Sequence, residues 1–365
     1  MAQLSEIIRH LETIAPPSLQ ESYDNSGLIT GSPDQEISGI LVCLDSTEQV
    51  IDEAINTGCN LIVAHHPIVF SGLKKITGRT YVERVIIKAI RNNLAIYAIH
   101  TNLDNVYHGV NKRFAEKLGL ENTRILSPLS GKLRKLVTFV PHADAEKVRA
   151  AICEAGAGDI SNYSDCSFNI EGIGTFKGND LSNPRTGKKG ELHREPETRI
   201  ETIYPVWKER EILAALRTAH PYEEIAYNIY PLENKLDTVG AGLIGTLPQP
   251  MPATLFLDRL KENMQAVVIR HTALVKKEIS KVALCGGSGS FLLNHAISAG
   301  ADIFISADFK YHQFFDADGR IIIADIGHFE TEQFTINLLA ELLSVKFTTF
   351  AVRLTGTQTN PIIYR

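Results

Sequence analysis

Apolar runs and amphipathic stretches alternate along the chain in a pattern that occurs twice. Residues 39–66 read GILVCLDSTEQVIDEAINTGCNLIVAHH, and residues 281–308 read KVALCGGSGSFLLNHAISAGADIFISAD. Each is an apolar strand, a polar turn, an amphipathic helix ending in glycine, and a second apolar strand. Within them AINTGCNLIV (54–63) lies beside AISAGADIFI (296–305), so Gly58 and Gly300 fall where a helix C-terminus favours glycine. Strands that are apolar throughout and separated by helices predict parallel pairing with both faces covered. The likeness continues in LAIYAIHTNLD (94–104) and IIIADIGHFETE (321–332), two strands that each end at a histidine. The pattern predicts two related α/β halves, 1–128 and 242–365, forming one discontinuous core that gathers strand ends around a cleft.

Residues 129–241 break the pattern. LRKLVTFVPHADAEKVRAAICEAG (133–156) reads as strand then helix, and CSFNIEGIGTFKG (166–178) as a strand interrupted by glycines. TRIETIYPVW (198–207) is a strand, KEREILAALRTAH (208–220) a helix and EEIAYNIYPLE (223–233) a last strand. The order β-α-β-β-α-β predicts an inserted α+β domain of ferredoxin-like type, with the polar stretch 179–197 as its long loop.

Composition narrows the function classes. The 365 residues allow two or three domains, 44% are hydrophobic, and the formal net charge is -5. That charge disfavours a nucleic-acid surface. The five cysteines are scattered, odd in number and without a CxxC spacing, which excludes a disulfide framework and a thiolate zinc site and fits a reducing, cytoplasmic compartment. The N-terminal segment reads as an amphipathic helix with Ile7, Ile8, Leu11 and Ile14 on one face rather than as a signal peptide. No apolar run approaches the roughly 20 residues that span a bilayer, so no membrane partner is expected.

The candidate chemistry sits at the strand ends. His65 and His66 close LIVAHH, Asp104 closes HTNLD, and His328 and Glu332 stand four apart in GHFETE. Positions i and i+4 share a helix face, so Glu332 can meet what His328 meets, whereas Glu330 points elsewhere. Imidazoles and carboxylates suit zinc, iron, manganese or nickel, and five such groups are more than one tetrahedral ion takes. They predict two divalent metal ions per chain with shared ligands. Taken singly each has a plainer role: Asp104 as turn chemistry, Glu332 as a carboxylate in the first turn of a helix. His100 reads either as a group that orients a ligand or as a proton carrier. His312, in DFKYHQ, is open to a surface or a proton-shuttle role. His108, His220 and His271 read as structural. CGGSGS (285–290) reads as a tight turn rather than a phosphate loop, since no Lys-Ser or Lys-Thr follows, and DNSGL (24–28) as a turn that borders the cleft.

Together DNSGLITG, VAHHPIVFSGLKKI, AIHTNLD, ALCGGSGS, SADFKYH and IGHFETE resemble the NIF-three-like family, also called GTP cyclohydrolase I type 2 homologues or dinuclear-metal-centre proteins. The likeness runs in order through both halves. It implies metal ligands at His65, His66, Asp104, His328 and Glu332. It also implies an insert similar to PII or CutA folds and a toroidal homohexamer built as a trimer of dimers. SADFKYH departs from the family's usual Gly-Asp at that place, but Asp308 remains. The function implied is a metal-dependent hydrolase of a nucleotide or related small molecule, whose nucleophile is a water activated between two ions. The alternative is a non-catalytic regulatory or scaffold hexamer whose insert binds a small ligand or partner.

Overall fold

The computed structural model describes residues 2–365. The chain divides into two compact units, one of residues up to Pro128 together with Asp237–Arg365, the other Leu129–Leu236.

The larger unit holds two sheets of parallel core strands, the mixed α/β class that the pattern predicts. In the first, Gly39–Cys43, Leu61–Ala64 and Ala95–Ala98 run parallel side by side, with Gly27–Thr30 antiparallel at one edge. In the second, Glu278–Ser288, Ile303–Ala307 and Ile322–Asp325 repeat that order, with Arg270–His271 antiparallel at the edge. The central strands are buried throughout, as their unbroken apolar runs require.

Helix Glu48–Asn56 starts because Thr47 Oγ1 accepts the Val50 N–H, and it buries Val50, Ile51 and Ala54. It ends in a Schellman turn: the Gly58 and Cys59 amides bond the carbonyls of Ile55 and Ala54. Gly300 and Ala301 do the same to Ile297 and Ala296. The positive φ of Gly58 (71°) and Gly300 (72°) explains the glycine at both places.

Each half also lends a strand to the other's sheet. Ala351–Leu354 pairs in parallel with Gly39–Cys43, and Glu121–Leu129 neighbours Leu236–Pro252 in the second sheet. Strand pattern alone does not reveal this exchange, because a strand is equally satisfied by either sheet edge. It ties the two halves into one body and fixes the strand ends that carry the candidate ligands.

The smaller unit is a four-stranded antiparallel sheet in the order Tyr227–Leu232, Leu133–Pro141, His193–Pro205, Phe168–Phe176. Helices Ala145–Glu154 and Glu209–Ala219 cover one face. Val148, Ile152, Ile212 and Leu216 pack there on Leu136, Val140, Ile200 and Tyr204. The element order β-α-β-β-α-β and this strand order are those of a ferredoxin-like unit. No described helix is long and apolar enough to cross a membrane.

Candidate metal centre

Where the strand Leu61–Ala64 ends, regular alternation ends too, and both following side chains turn inward. The backbone amides of His65 and His66 still bond the carbonyls of Cys43 and Leu44, which fixes their position. His65 is fully buried, and the two rings lie 4.9 Å apart. From the next strand come His100 and, one helical turn on, Asp104; residues Thr101–Asp104 form a short helix where a turn was equally open. From the second half comes the five-residue helix His328–Glu332, whose i, i+4 pair does meet: His328 Nε2 lies 3.1 Å from Glu332 Oε2.

All four imidazoles are oriented in the same way. His65 Nδ1–H donates to the Ile99 carbonyl (2.9 Å) and His66 Nδ1–H to Asp45 (2.7 Å). His100 Nδ1–H donates to Asp24 (2.7 Å) and His328 Nδ1–H to Asp308 (2.7 Å). Each partner can only accept, so each Nδ1 carries the proton and each Nε2 is turned to the cluster. Nearly every metal-bound histidine is held by such an outer partner.

Glu332 is the hub. It is 3% exposed, and its Oε2 lies 2.9 Å from His66 Nε2 and 3.9 Å from His65 Nε2 as well as against His328. Ligand atoms within 4.8 Å of one another form three triads: His66, His328 and Glu332; His65, Asp104 and Glu332; His65, His66 and His100. His65 Nε2 and Asp104 Oδ1, 3.6 Å apart, are buried without a hydrogen-bond partner. Two buried acceptors facing each other with nothing between them are costly unless a cation joins them. The donor set therefore fits divalent metal.

Charge follows this geometry. Burial drives His65 down to about 3, so it is a neutral imidazole with a free lone pair. Burial also opposes charge on His66, but Asp45 and Glu332 outweigh it and push it up to about 10. The Glu332 charge raises His328 to about 11 against the cost of burial. Burial, then the Glu332 charge, lifts Asp104 to about 7. Glu332 is itself held well below the usual carboxylate range: His328 and His66 overcome its burial. Burial would raise Asp24, yet hydrogen bonds from His100 and Thr101 keep it ionised.

The cluster opens into a cleft of about 1000 Å³ bordered by Tyr23, Phe70, Tyr81 and Phe291, all exposed. Cys285 also borders it, but burial, followed by the charges of Asp104 and Glu332, keeps it a neutral thiol.

His65, His66, Asp104, His328 and Glu332 thus come together, with His100 beside them. His312 does not join them: it is exposed, its ring lies against Tyr311 and Phe315, and it does not border the cleft. Glu330 is buried away from the cluster and accepts from Asn360. Asp24 of DNSGL proves to be the partner of His100. Asp45 escapes sequence reasoning, and the signal for it is slight: an acid just past a buried strand in LDST. The turn CGGSGS has a second use. Gly287 has φ 60°, and a Cβ there would stand 2.4 Å from Glu332 Oε1. Replacing Gly287 with alanine is therefore expected to displace Glu332 and lower metal occupancy while the fold persists. Metal analysis alongside circular dichroism checks this.

Comparisons with known proteins agree with this architecture. The family model described as Duf34/NIF3 (NGG1p interacting factor 3) matches residues 2–361. A Halalkalibacterium halodurans protein named GTP cyclohydrolase 1 type 2 homolog is 43% identical over 325 residues, 88% of this chain and 87% of its own. The Bacillus subtilis protein of the same name is 39% identical over 326 residues, 89% and 87% of the two chains. Among solved structures, a Bacillus cereus protein related to NIF3 superposes with a TM-score of 0.87 at 38% identity, covering 100% of this chain and 99% of the other. The chain belongs to the Duf34/NIF3 family.

Proposed function

We propose that the cleft holds two divalent metal ions and that the protein is a metal-dependent hydrolase of a nucleotide or related small molecule. The observation that carries this reading is the pair of buried, unpartnered atoms, His65 Nε2 and Asp104 Oδ1, beside a carboxylate shared by two triads. One ion is assigned to His66, His328 and Glu332, the other to His65, Asp104 and Glu332. When bound, the pair would supply an activated water and polarise the bond to be broken. The chain's own part is to hold the ligands through Asp45, Asp308 and the Ile99 carbonyl. His100, backed by Asp24, moves protons at the cleft. The exposed aromatic rim gives a substrate an apolar surface on which to settle. The relatives' name, GTP cyclohydrolase 1 type 2 homolog, lends the nucleotide class its support.

The same reading places the protein in the cytoplasm as a toroidal hexamer, a trimer of dimers, with a PII- or CutA-like insert, 129–241, on a core of 1–128 and 242–365. A solution mass of six chains checks the assembly.

The purified protein is expected to carry about two metal ions per chain, as dinuclear hydrolytic sites do. It is expected to hydrolyse at least one member of a nucleotide and phosphoester panel after loading with zinc, iron, manganese or nickel. Two ions without turnover on any substrate would remove the hydrolase and leave the regulatory hexamer. No bound metal after reconstitution would remove both ions and hydrolysis.

A further inference from the structure

The inserted unit has a recess of its own, about 550 Å³ in volume, which the metal reading does not use. It lies on the sheet face turned away from the helices. Ile200 and Tyr204 point into the core, so Glu197, three positions before Ile200, points to the opposite face. Glu197 pairs with Gly172 on the edge strand, and the next position on that face of the edge strand is Gly174. The sequence IEGIGTF thus places two missing side chains beside one carboxylate. At Gly172 no atom lies within 4 Å of where a Cβ would stand, whereas a Cβ at Gly174 would come within 2.1 Å of Glu197 Oε2. The glycines that interrupt this strand make the hollow.

Glu197 is 8% exposed, although it borders the recess. The Tyr222 hydroxyl donates to its Oε1 at 2.8 Å, and no described residue donates to its Oε2. That second oxygen is open to the recess, where an arriving donor can reach a carboxylate that the walls largely shield from bulk water. The walls around it are aromatic and aliphatic: Phe139, Ile170, Phe176 and Tyr222, with the Phe176 and Tyr222 rings 6.3 Å apart. Of the basic groups that border the recess, Arg185 is held by Asp144 (2.8 Å) and Arg199 by Glu201 (2.6 Å). Only Lys177 remains against Glu171, Glu223 and Glu224, so the balance at the rim is acidic.

We propose that this recess binds a small molecule carrying a primary ammonium on a ring-sized apolar body. The ammonium donates to Glu197 Oε2 and lies near the faces of Phe176 and Tyr222, and the body fills the space left by Gly172. The volume suits a compact ligand rather than a peptide.

The test uses the full-length protein and two probes of equal shape, 2-phenylethylammonium and 2-phenylethanol, measured by titration calorimetry. The ammonium is expected to bind saturably and at least about tenfold more tightly than the alcohol, the step that one charge-assisted contact provides. Glu197→Gln is expected to remove that preference. Gly172→Phe fills the hollow on an exposed edge strand, where phenylalanine is well tolerated, and is expected to abolish binding of both probes. Equal affinity for the two probes would overturn the proposal. So would binding retained in Gly172→Phe, or no saturable binding of the ammonium in the millimolar range.

Discussion

Glu332→Ala is expected to release both metal ions from the purified protein, whereas loss of an outer partner weakens them only in part. Glu332 is the one carboxylate shared by the triads with His66 and His328 and with His65 and Asp104. On the proposed two-ion assignment its removal deletes a ligand from each ion at once. Asp45→Ala and Asp308→Ala leave every ligand in place and free the Nδ1 side of His66 or His328, Asp45→Ala also releasing the Thr359 hydroxyl. Such supporting partners are typically worth about 10–100-fold in metal affinity. The expected order is therefore Glu332→Ala far below Asp45→Ala and Asp308→Ala, with the wild type highest. Competitive titration against a chelator of known affinity measures it. The metal-free variant should also lose stability. Without Glu332 the His66 and His328 imidazoles keep only Asp45 and Asp308 as counter-charges, so the fold loses the share of stabilisation that Glu332 gives them. Chemical denaturation of the metal-free proteins reads that second effect separately. Equal metal content in wild type and Glu332→Ala would sink the shared-ligand assignment.

The fold and most of this cluster were legible because apolar strands separated by amphipathic helices leave a clear imprint, and because the site lies where those strands stop. Gly58 and Gly300 marked equivalent helix ends, and the i, i+4 spacing of His328 and Glu332 predicted the contact now seen. What escaped depends on distance in space rather than in sequence. Asp45 is 21 residues from His66, and Asp24 is 76 from His100, so neither pairing has a local signature. The exchange of Ala351–Leu354 and Glu121–Leu129 between the sheets is invisible for the same reason. His312 misled through its neighbourhood. Asp308, four residues earlier, does reach the cluster through His328, but the 3₁₀ turn Tyr311–Ala317 that carries His312 leaves its ring outside. Gly287 read as a turn residue, and only the side chain packed against it shows the second constraint.

Acidification is expected to strip the metal, and the sign follows from the protons that the metal-free site holds. His66 at about 10 and His328 at about 11 are protonated at neutral pH, and Asp104 at about 7 is half so. His65, at about 3, is already neutral. Binding must therefore expel about two protons from the imidazoles, and a third from Asp104 on its acid side. Each displaced proton makes affinity about tenfold weaker per unit fall in pH. Combined affinity for the two ions should then fall about 100-fold between pH 8 and pH 7, and more steeply below pH 7 as Asp104 takes up its proton. The metal-free protein is expected to follow the reverse dependence. Raised imidazoles stabilise the fold fully below their unfolded value near 6.5, and that stability is lost as pH rises through about 10. Asp104, also raised, favours the fold below about 3.8 and gives that up as pH rises through about 7. Loaded and metal-free proteins should thus diverge in melting temperature as pH rises from 6 to 9, the loaded form gaining and the stripped form losing. Proton release counted by calorimetry in buffers of different ionisation enthalpy gives the stoichiometry directly. Binding that releases no protons would mean that His66 and His328 are not the groups the metal displaces them from.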